Sequence, residues 1–338
     1  MTLSNVLSLG KTKENAFFPL FFAHLCVLLH HQIQNAMKIA FLISAHTDPH
    51  QLFRLTEQLP GDSEIFVHVD LKSDLHAFSS LITSPRVHFI KERYDVMWAS
   101  MQQVRFQTAL LKEALHFGTH FDYLFTLSGL DYPIWSNQRI IDHLEQHQGQ
   151  EFIQGICMEH QQGQHARQYQ EYRFLNNHAW RYGTLKSKFR VSLRKISYAL
   201  GIRKKLFIPV DGQHYALYKG ADWWAITSEL ATYCLQFMDA HPDFVRYFKT
   251  SFCPSETIWQ TIAFHSPFAS RCMLSKGTFT SLEDYTPLTY IEYGQEIKTF
   301  TEDDYDTILA SGKMFFRKAV TGKSDKLMDM IDEHRRNG

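Results

Sequence analysis

What most constrains this chain is a repeating unit that begins at Lys38. "KIAFLISA" (38–45) is a short, unbroken apolar run, the mark of a strand buried on both faces of a parallel sheet. A turn, "HTDPH", follows, and then a helical pattern from about Gln51 to Gln58. "EIFVHVD" and "VHFI" (87–90) read as further strands. Ala99 to Phe117 reads as a long helix with Met101, Val104, Leu111 and Leu115 on one side, and "DYLFTLSG" as a fourth strand. Strands alternating with helices predict an α/β fold with a Rossmann-like, mostly parallel sheet flanked by helices. Such sheets bind ligands at the carboxyl ends of their strands. Those ends carry His46, Asp48, His68, Asp70 and Ser128 to Asp131.

A second αβ stretch follows. "DWWAIT" predicts a strand, Ser228 to Met238 a helix, and Cys272 and "LTYIEY" (288–293) later strands. Thr301 is a good N-cap for "TEDDYDTIL", whose acids suit a first helical turn. No repeat, low-complexity tract or flexible linker interrupts the chain. Its 338 residues therefore predict a single domain over 37–320 with a helical tail at 321–338. Residues 1–36 are different: Lys11 and Lys13 precede "AFFPLFFAHLCVLL" (16–29), short for a spanning helix and interrupted by Pro19. Three readings are open: an extension outside a fold that starts at Met37, a weak membrane anchor through 16–29, or a cleaved signal.

Charge and composition narrow the function classes. Thirty-five basic residues balance thirty-five acidic ones, so no global field argues for nucleic acid. The five cysteines form no CxxC pair, which suits a reduced compartment. Nineteen histidines include no HExxH. Arg181 to Lys205 holds nine basic residues and no acid, with Phe189, Leu193, Ile196 and Leu200 at helical spacing. That pattern fits a basic helix lying on an anionic membrane, or a surface helix packing its apolar stripe on the core.

Several short motifs carry polar groups to places where chemistry is expected. "HVDLKS" sets Asp70 just past a strand. In "LSGLDYP", Gly129 permits close backbone approach beside Asp131. In "KGADWWAIT", strand alternation sends Trp223 and Trp224 to opposite faces, one to the core and one to a pocket. "CPSETIWQTI" (253–262) places Glu256 before an apolar run. Ser255 would cap a helix with Glu256 in its first turn; an ionised carboxylate at a pocket rim is also what a general base requires. "SGKMFFRKAV" puts Arg317 and Lys318 after a short aromatic strand, where inward cations would neutralise a diphosphate.

In order, "IAFLISAHTDP", "IFVHVDLKS", "VMWAS", "YLFTLSGLDYPI", "KGADWWAIT", "PSETIWQTI" and "MFFRKAV" resemble the Core-2/I-branching enzymes, glycosyltransferase family 14, which includes the peptide O-xylosyltransferases. The likeness runs from about Met37 to Val320. It implies a GT-A type fold, with a nucleotide-binding half over 37–150 and an acceptor and catalytic half over 151–320. It implies a UDP-GlcNAc or UDP-xylose donor, a glycan or glycolipid acceptor, inversion at the anomeric carbon, and no required divalent metal. Glu256 matches the family's catalytic base. Lys318 matches a cation on the donor diphosphate, with Arg317 and Lys298 as neighbours in that role. His46, Asp70, Trp98 and Asp131 fall on the nucleotide side; Trp223, Trp224, Glu159, Arg167 and Arg173 fall on the sugar and acceptor side. Ser255 stands where the family commonly has Asp, and the paired cysteines of the secreted animal enzymes are absent. This implies a bacterial, cytoplasmic relative, seated peripherally at the inner membrane through 181–205 or anchored through 16–29. The other readings are a UDP-xylose-dependent enzyme and a non-catalytic UDP-sugar or glycan-binding protein.

Overall fold

A computed structural model describes residues 37–175, 183–294 and 296–337. The apolar stretch 16–29 and Cys26 lie outside the described residues, as do Arg181 and Tyr182 of the basic segment. Lys38–Gly338 forms one compact unit.

The central strand is β1 (Ile39–Ala45), buried along nearly its whole length. It runs parallel to β2 (Glu64–Val69) on one side and to β4 (Tyr123–Ser128) on the other; β3 (Val87–Phe89) continues the parallel set beyond β2. Past β4 the sheet becomes mixed. β10 (Ala225–Ile226) is antiparallel to both β4 and β6 (Glu151–Cys157), while β11 (Cys272–Ser275) is parallel to β6 and β9 (Tyr218–Lys219) antiparallel to it. The strand order is β11-β6-β10-β4-β1-β2-β3. The architecture is thus the expected α/β layer with a mainly parallel sheet. Only Ala225 and Ile226 of "DWWAIT" enter the ladder, while Trp223 Nε1 donates to the buried Asp131 carboxylate.

A second sheet, β5 (Asp131–Pro133), β13 (Phe315–Arg317) and β12 (Thr289–Ile291), lies beside the carboxyl end of β4. Tyr132, Phe300, Phe316, Met328 and Ile331 form its buried core. The helix Asp325–Asn337 belongs to this core rather than trailing from it. Its Asp332 accepts from Tyr132 Oη at 2.7 Å and from Arg54 at 2.8 Å, and its Arg335 donates to the Gln58 carbonyl at 2.8 Å. The two-stranded ribbon β7 (Phe207–Val210) and β8 (Gln213–Ala216) completes the strands.

Local rules place the main helices. Asp48, Ser100, Ser136 and Thr227 each cap a helix with their own side chain. Thr301 forms the expected cap as a capping box with Asp304, although the first turn is 3₁₀ before the helix Tyr305–Ala310 begins. The helix Leu185–Ala199 behaves otherwise: Phe189, Ile196 and Leu200 are 60%, 57% and 72% exposed and Leu193 is half-buried, so most of its apolar stripe does not pack on the core. Among the described residues no helix is long and apolar enough to cross a membrane.

Candidate active site

The register of the parallel strands sets their carboxyl ends side by side, with Ala45 opposite Val69 and Ser44 opposite Ser128. A cavity of about 640 Å³ opens there, lined by His46, Asp70, Trp98, Ser128, Trp223, Asp222, Glu256, Tyr293 and Arg317 among others. The amide of Asp70 donates to the Ala45 carbonyl at 2.8 Å, fixing the loop after β2. The Asp70 carboxylate is nearly enclosed and pairs with Lys72 at 3.1 Å. His68, one position before the end of β2, stacks on Phe106 at 4.9 Å and accepts the Tyr94 amide on Nε2 at 3.0 Å. Burial pushes its pKa down to about 4, so the ring is neutral with its proton on Nδ1. Desolvation, reinforced by Arg317, likewise lowers the pKa of His46. Trp98 is 74% exposed at the cavity edge and meets Phe252 edge-on at 5.9 Å.

Arg317 ends β13 opposite Asp131 of β5. Asp131 is fully buried. Its carboxylate accepts from the Ser128 amide at 2.9 Å, from Trp223 Nε1 at 2.9 Å and from Arg317 Nη1 at 3.3 Å. Arg317 also donates to Ser128 Oγ. Asp131 therefore does not reach the cavity where a nucleotide would sit. It is a strut behind the wall that holds Arg317 and Trp223 in place. Burial raises its pKa, and the Arg317 charge opposes that rise.

Glu256 stands on a tight turn. Cys253 takes the left-handed conformation (φ 41°), and a 3₁₀ turn, Pro254–Glu256, precedes the helix Ile258–Phe264. Ser255 is not the expected cap: its hydroxyl donates to Asp222 Oδ2 at 3.3 Å. The Glu256 carbonyl accepts from the Gly220 amide at 2.8 Å, which joins this turn to the loop after β9. A Cβ at Gly220 would lie 2.0 Å from the Gln154 carbonyl oxygen, so only glycine allows this approach.

That junction assembles a three-member charge cluster. The Glu256 carboxylate lies 3.4 Å from Lys219 Nζ, and both side chains are mostly enclosed. Asp222, half-buried in the cavity wall, also accepts from Gln107 Nε2 at 3.2 Å. Burial, and then the charge of Glu256, push the Asp222 pKa up to about 7. Near neutrality Asp222 therefore holds a proton for about half the time, which relieves the repulsion between the two neighbouring carboxyl groups. Lys219 and Asp222 lie in "KGADWWAIT", but local pattern singles out only the tryptophans of that block. The signal available is the acid next to the aromatic pair; its meaning depends on the distant turn at Glu256.

The other candidates lie elsewhere. Trp224 is in the core, 5.9 Å from Trp259 between ring centres, while its neighbour Trp223 faces the cavity. Lys318 is not among the lining residues, though its charge reaches His46. Lys298 is held outside by Glu292 at 3.1 Å and Asp304 at 2.6 Å. Glu159 pairs with His214 at 2.8 Å. Arg167 and Arg173 converge on Glu171 at 3.1 and 3.6 Å. Burial lowers the Arg173 pKa to about 10. Among the described residues, no three His, Cys, Asp or Glu side chains are grouped to hold a metal ion, and Cys157, Cys234, Cys253 and Cys272 are unbridged.

Residues 39–309 match the model of the Core-2/I-branching enzyme family. The xylosyltransferase oxt of Drosophila melanogaster is 22% identical over 293 residues, covering 76% of this chain and 29% of that protein. The xylosyltransferase sqv-6 of Caenorhabditis briggsae is 22% identical over 224 residues, covering 64% of this chain and 25% of that protein. The chain therefore spans less than a third of the length of the curated relatives it matches.

Proposed function

This chain belongs to the Core-2/I-branching enzyme family, and from that premise we propose that it transfers a sugar from a UDP-linked donor to a hydroxyl of a glycan acceptor, with inversion at the anomeric carbon. The observation that carries the reading is that Glu256, Asp222 and Arg317 line one cavity at the carboxyl ends of the parallel strands. Glu256 takes the acceptor hydroxyl proton as the oxygen attacks the anomeric carbon. The bond from that carbon to the UDP oxygen breaks, and its electron pair leaves with UDP. A positioned base contributes about 10²–10⁴-fold. Lys219 Nζ, 3.4 Å from the Glu256 carboxylate, orients that group, while a proton on Asp222 relieves the repulsion between two adjacent acids. Arg317 meets the charge growing on the diphosphate, with Lys318 behind it; a preorganised donor of this kind is worth about 3–4 kcal/mol. Because side-chain cations meet this charge, no divalent metal is required. Asp70, His46 and Trp98 would hold the nucleotide.

For the donor, UDP-GlcNAc is the first of the two sugars that the sequence resemblance offers. The names of the curated relatives favour UDP-xylose as a second reading. The test is UDP release from a panel of UDP-sugars, with and without EDTA, beside Glu256→Gln. Turnover of one donor, insensitive to EDTA and lost in the variant while UDP binding by calorimetry persists, is the expected result. Normal turnover by the variant would remove Glu256 as the base. Loss of activity in EDTA would refute the metal-independent step. UDP binding without turnover, with any donor and acceptor, would favour a binding protein.

A further inference from the structure

The helix Leu185–Ala199 is amphipathic with its faces reversed. A surface helix of a globular domain buries its apolar stripe. Here the small and polar residues face inward: Ser187 and Ser197 are buried, Arg194 pairs with Glu171 at 3.2 Å, and Tyr198 reaches Gln170 at 3.5 Å. Arg167 and Arg203 sit over the Tyr198 ring at 4.5 and 4.2 Å. Polar and cation–π contacts therefore hold the helix to the body, beside the half-buried Val191 and Leu193. Leu185, Phe189, Ile196 and Leu200 point outward, with Leu185 85% exposed, and Ile202 in the following turn is 51% exposed. At 100° per residue these four helical positions fall within one narrow sector. Lys186 flanks that sector on one side, and Lys188 and Lys195 on the other, all exposed. Residues 183–205 contain eight lysines and arginines and no acid.

We propose that this helix is an interfacial membrane anchor that lays Phe189, Ile196 and Leu200 into the headgroup–acyl boundary of an anionic phospholipid bilayer. An apolar ridge edged by lysines suits that boundary: the ridge enters the acyl region and the ammonium groups snorkel to phosphates. A soluble anionic glycan would use the lysines but leave the ridge in water. A second copy of this helix would bring like charges together. The inference stands on exposure and charge at this helix, and it holds whether or not Glu256 is a catalytic base.

The experiment uses the full chain. Flotation compares phosphatidylglycerol/phosphatidylcholine vesicles with pure phosphatidylcholine, and hydrogen–deuterium exchange locates the contact. The expected result is binding to the anionic vesicles, weakened by salt, with amides of 185–200 slowed. Phe189→Ser/Ile196→Ser/Leu200→Ser should lower it about tenfold or more, since interfacial binding scales with buried apolar area. Lys188→Glu/Lys195→Glu should lower it as well. None of these changes touches the inner face, so the fold is kept, and hydrolysis of soluble UDP-sugar should be unaltered. Three outcomes would overturn the proposal. The first is binding unchanged by the triple substitution, with protection outside 185–200, which would move the contact to another segment such as 16–29. The second is equal binding to neutral vesicles. The third is no vesicle binding, with a dimer that the triple substitution dissociates.

Discussion

Asp222→Asn tests the charge cluster without any knowledge of substrate. The residue is half-buried in the cavity wall, and its pKa is pushed from an ordinary 3.8 to about 7 by desolvation first and by Glu256 second. Its folded pKa lies above its unfolded one, so the folded state binds the extra proton between about pH 4 and pH 7. Stability then falls as pH rises through that window and levels off above it. The whole span corresponds to about 4 kcal/mol, and the part between pH 5 and pH 8 to about 2–3 kcal/mol. Asparagine cannot ionise, and it can keep the local geometry. Trp259 Nε1 donates to Gln107 Oε1 at 2.6 Å, which leaves Gln107 Nε2 as the donor toward residue 222. The side-chain oxygen of the asparagine would accept from it, and the side-chain amide would donate to Ser255 Oγ. The variant should therefore match the wild type at acid pH and exceed it as pH rises, with the gap between pH 5 and pH 8 widening by about 2–3 kcal/mol, or about 4 °C in Tm. Urea unfolding and thermal scans at both pH values measure it. A gap that does not depend on pH, or one that narrows toward pH 8, would show that Asp222 is not held protonated and would refute the proton-sharing argument.

Four further outcomes are expected. Gly220→Ala should destabilise the chain by about 2–3 kcal/mol in urea, because the added methyl meets the Gln154 carbonyl at 2.0 Å. Combining Asp222→Asn with Glu256→Gln should gain less stability at pH 8 than the two single changes added together, since each relieves the same repulsion. Arg317→Ala should cost about 3–5 kcal/mol by stranding the buried Asp131 carboxylate, and should weaken UDP binding by calorimetry; an equal loss of stability in Arg317→Lys would mean that charge is not the cause. Trp98→Ala, at a 74% exposed position, should leave Tm nearly unchanged while lowering UDP or UDP-sugar affinity.

What the sequence could disclose follows from the range of the interactions involved. β1, β2 and β4 are legible because a strand buried on both faces must be apolar at every position, a local property visible in "KIAFLISA". The ends of those strands are legible for the same reason, and they lead to His46 and Asp70. Glu256 and Asp222 differ. Each sits in a short polar stretch whose local reading is a turn or a cap, and Ser255 looks like an N-cap until the fold gives its hydroxyl a partner on another segment. The contact that joins them is the Gly220 amide on the Glu256 carbonyl, and no periodicity encodes it. The helix Leu185–Ala199 shows the same limit from the other side. Spacing reveals that it has two faces, but which face turns inward depends on Glu171 and Gln170, which belong to an earlier segment. Local pattern thus determines which elements form. Placement of charges between elements decides which acid is ionised and which apolar stripe remains in water, and the proposed chemistry and the proposed membrane contact both depend on that placement.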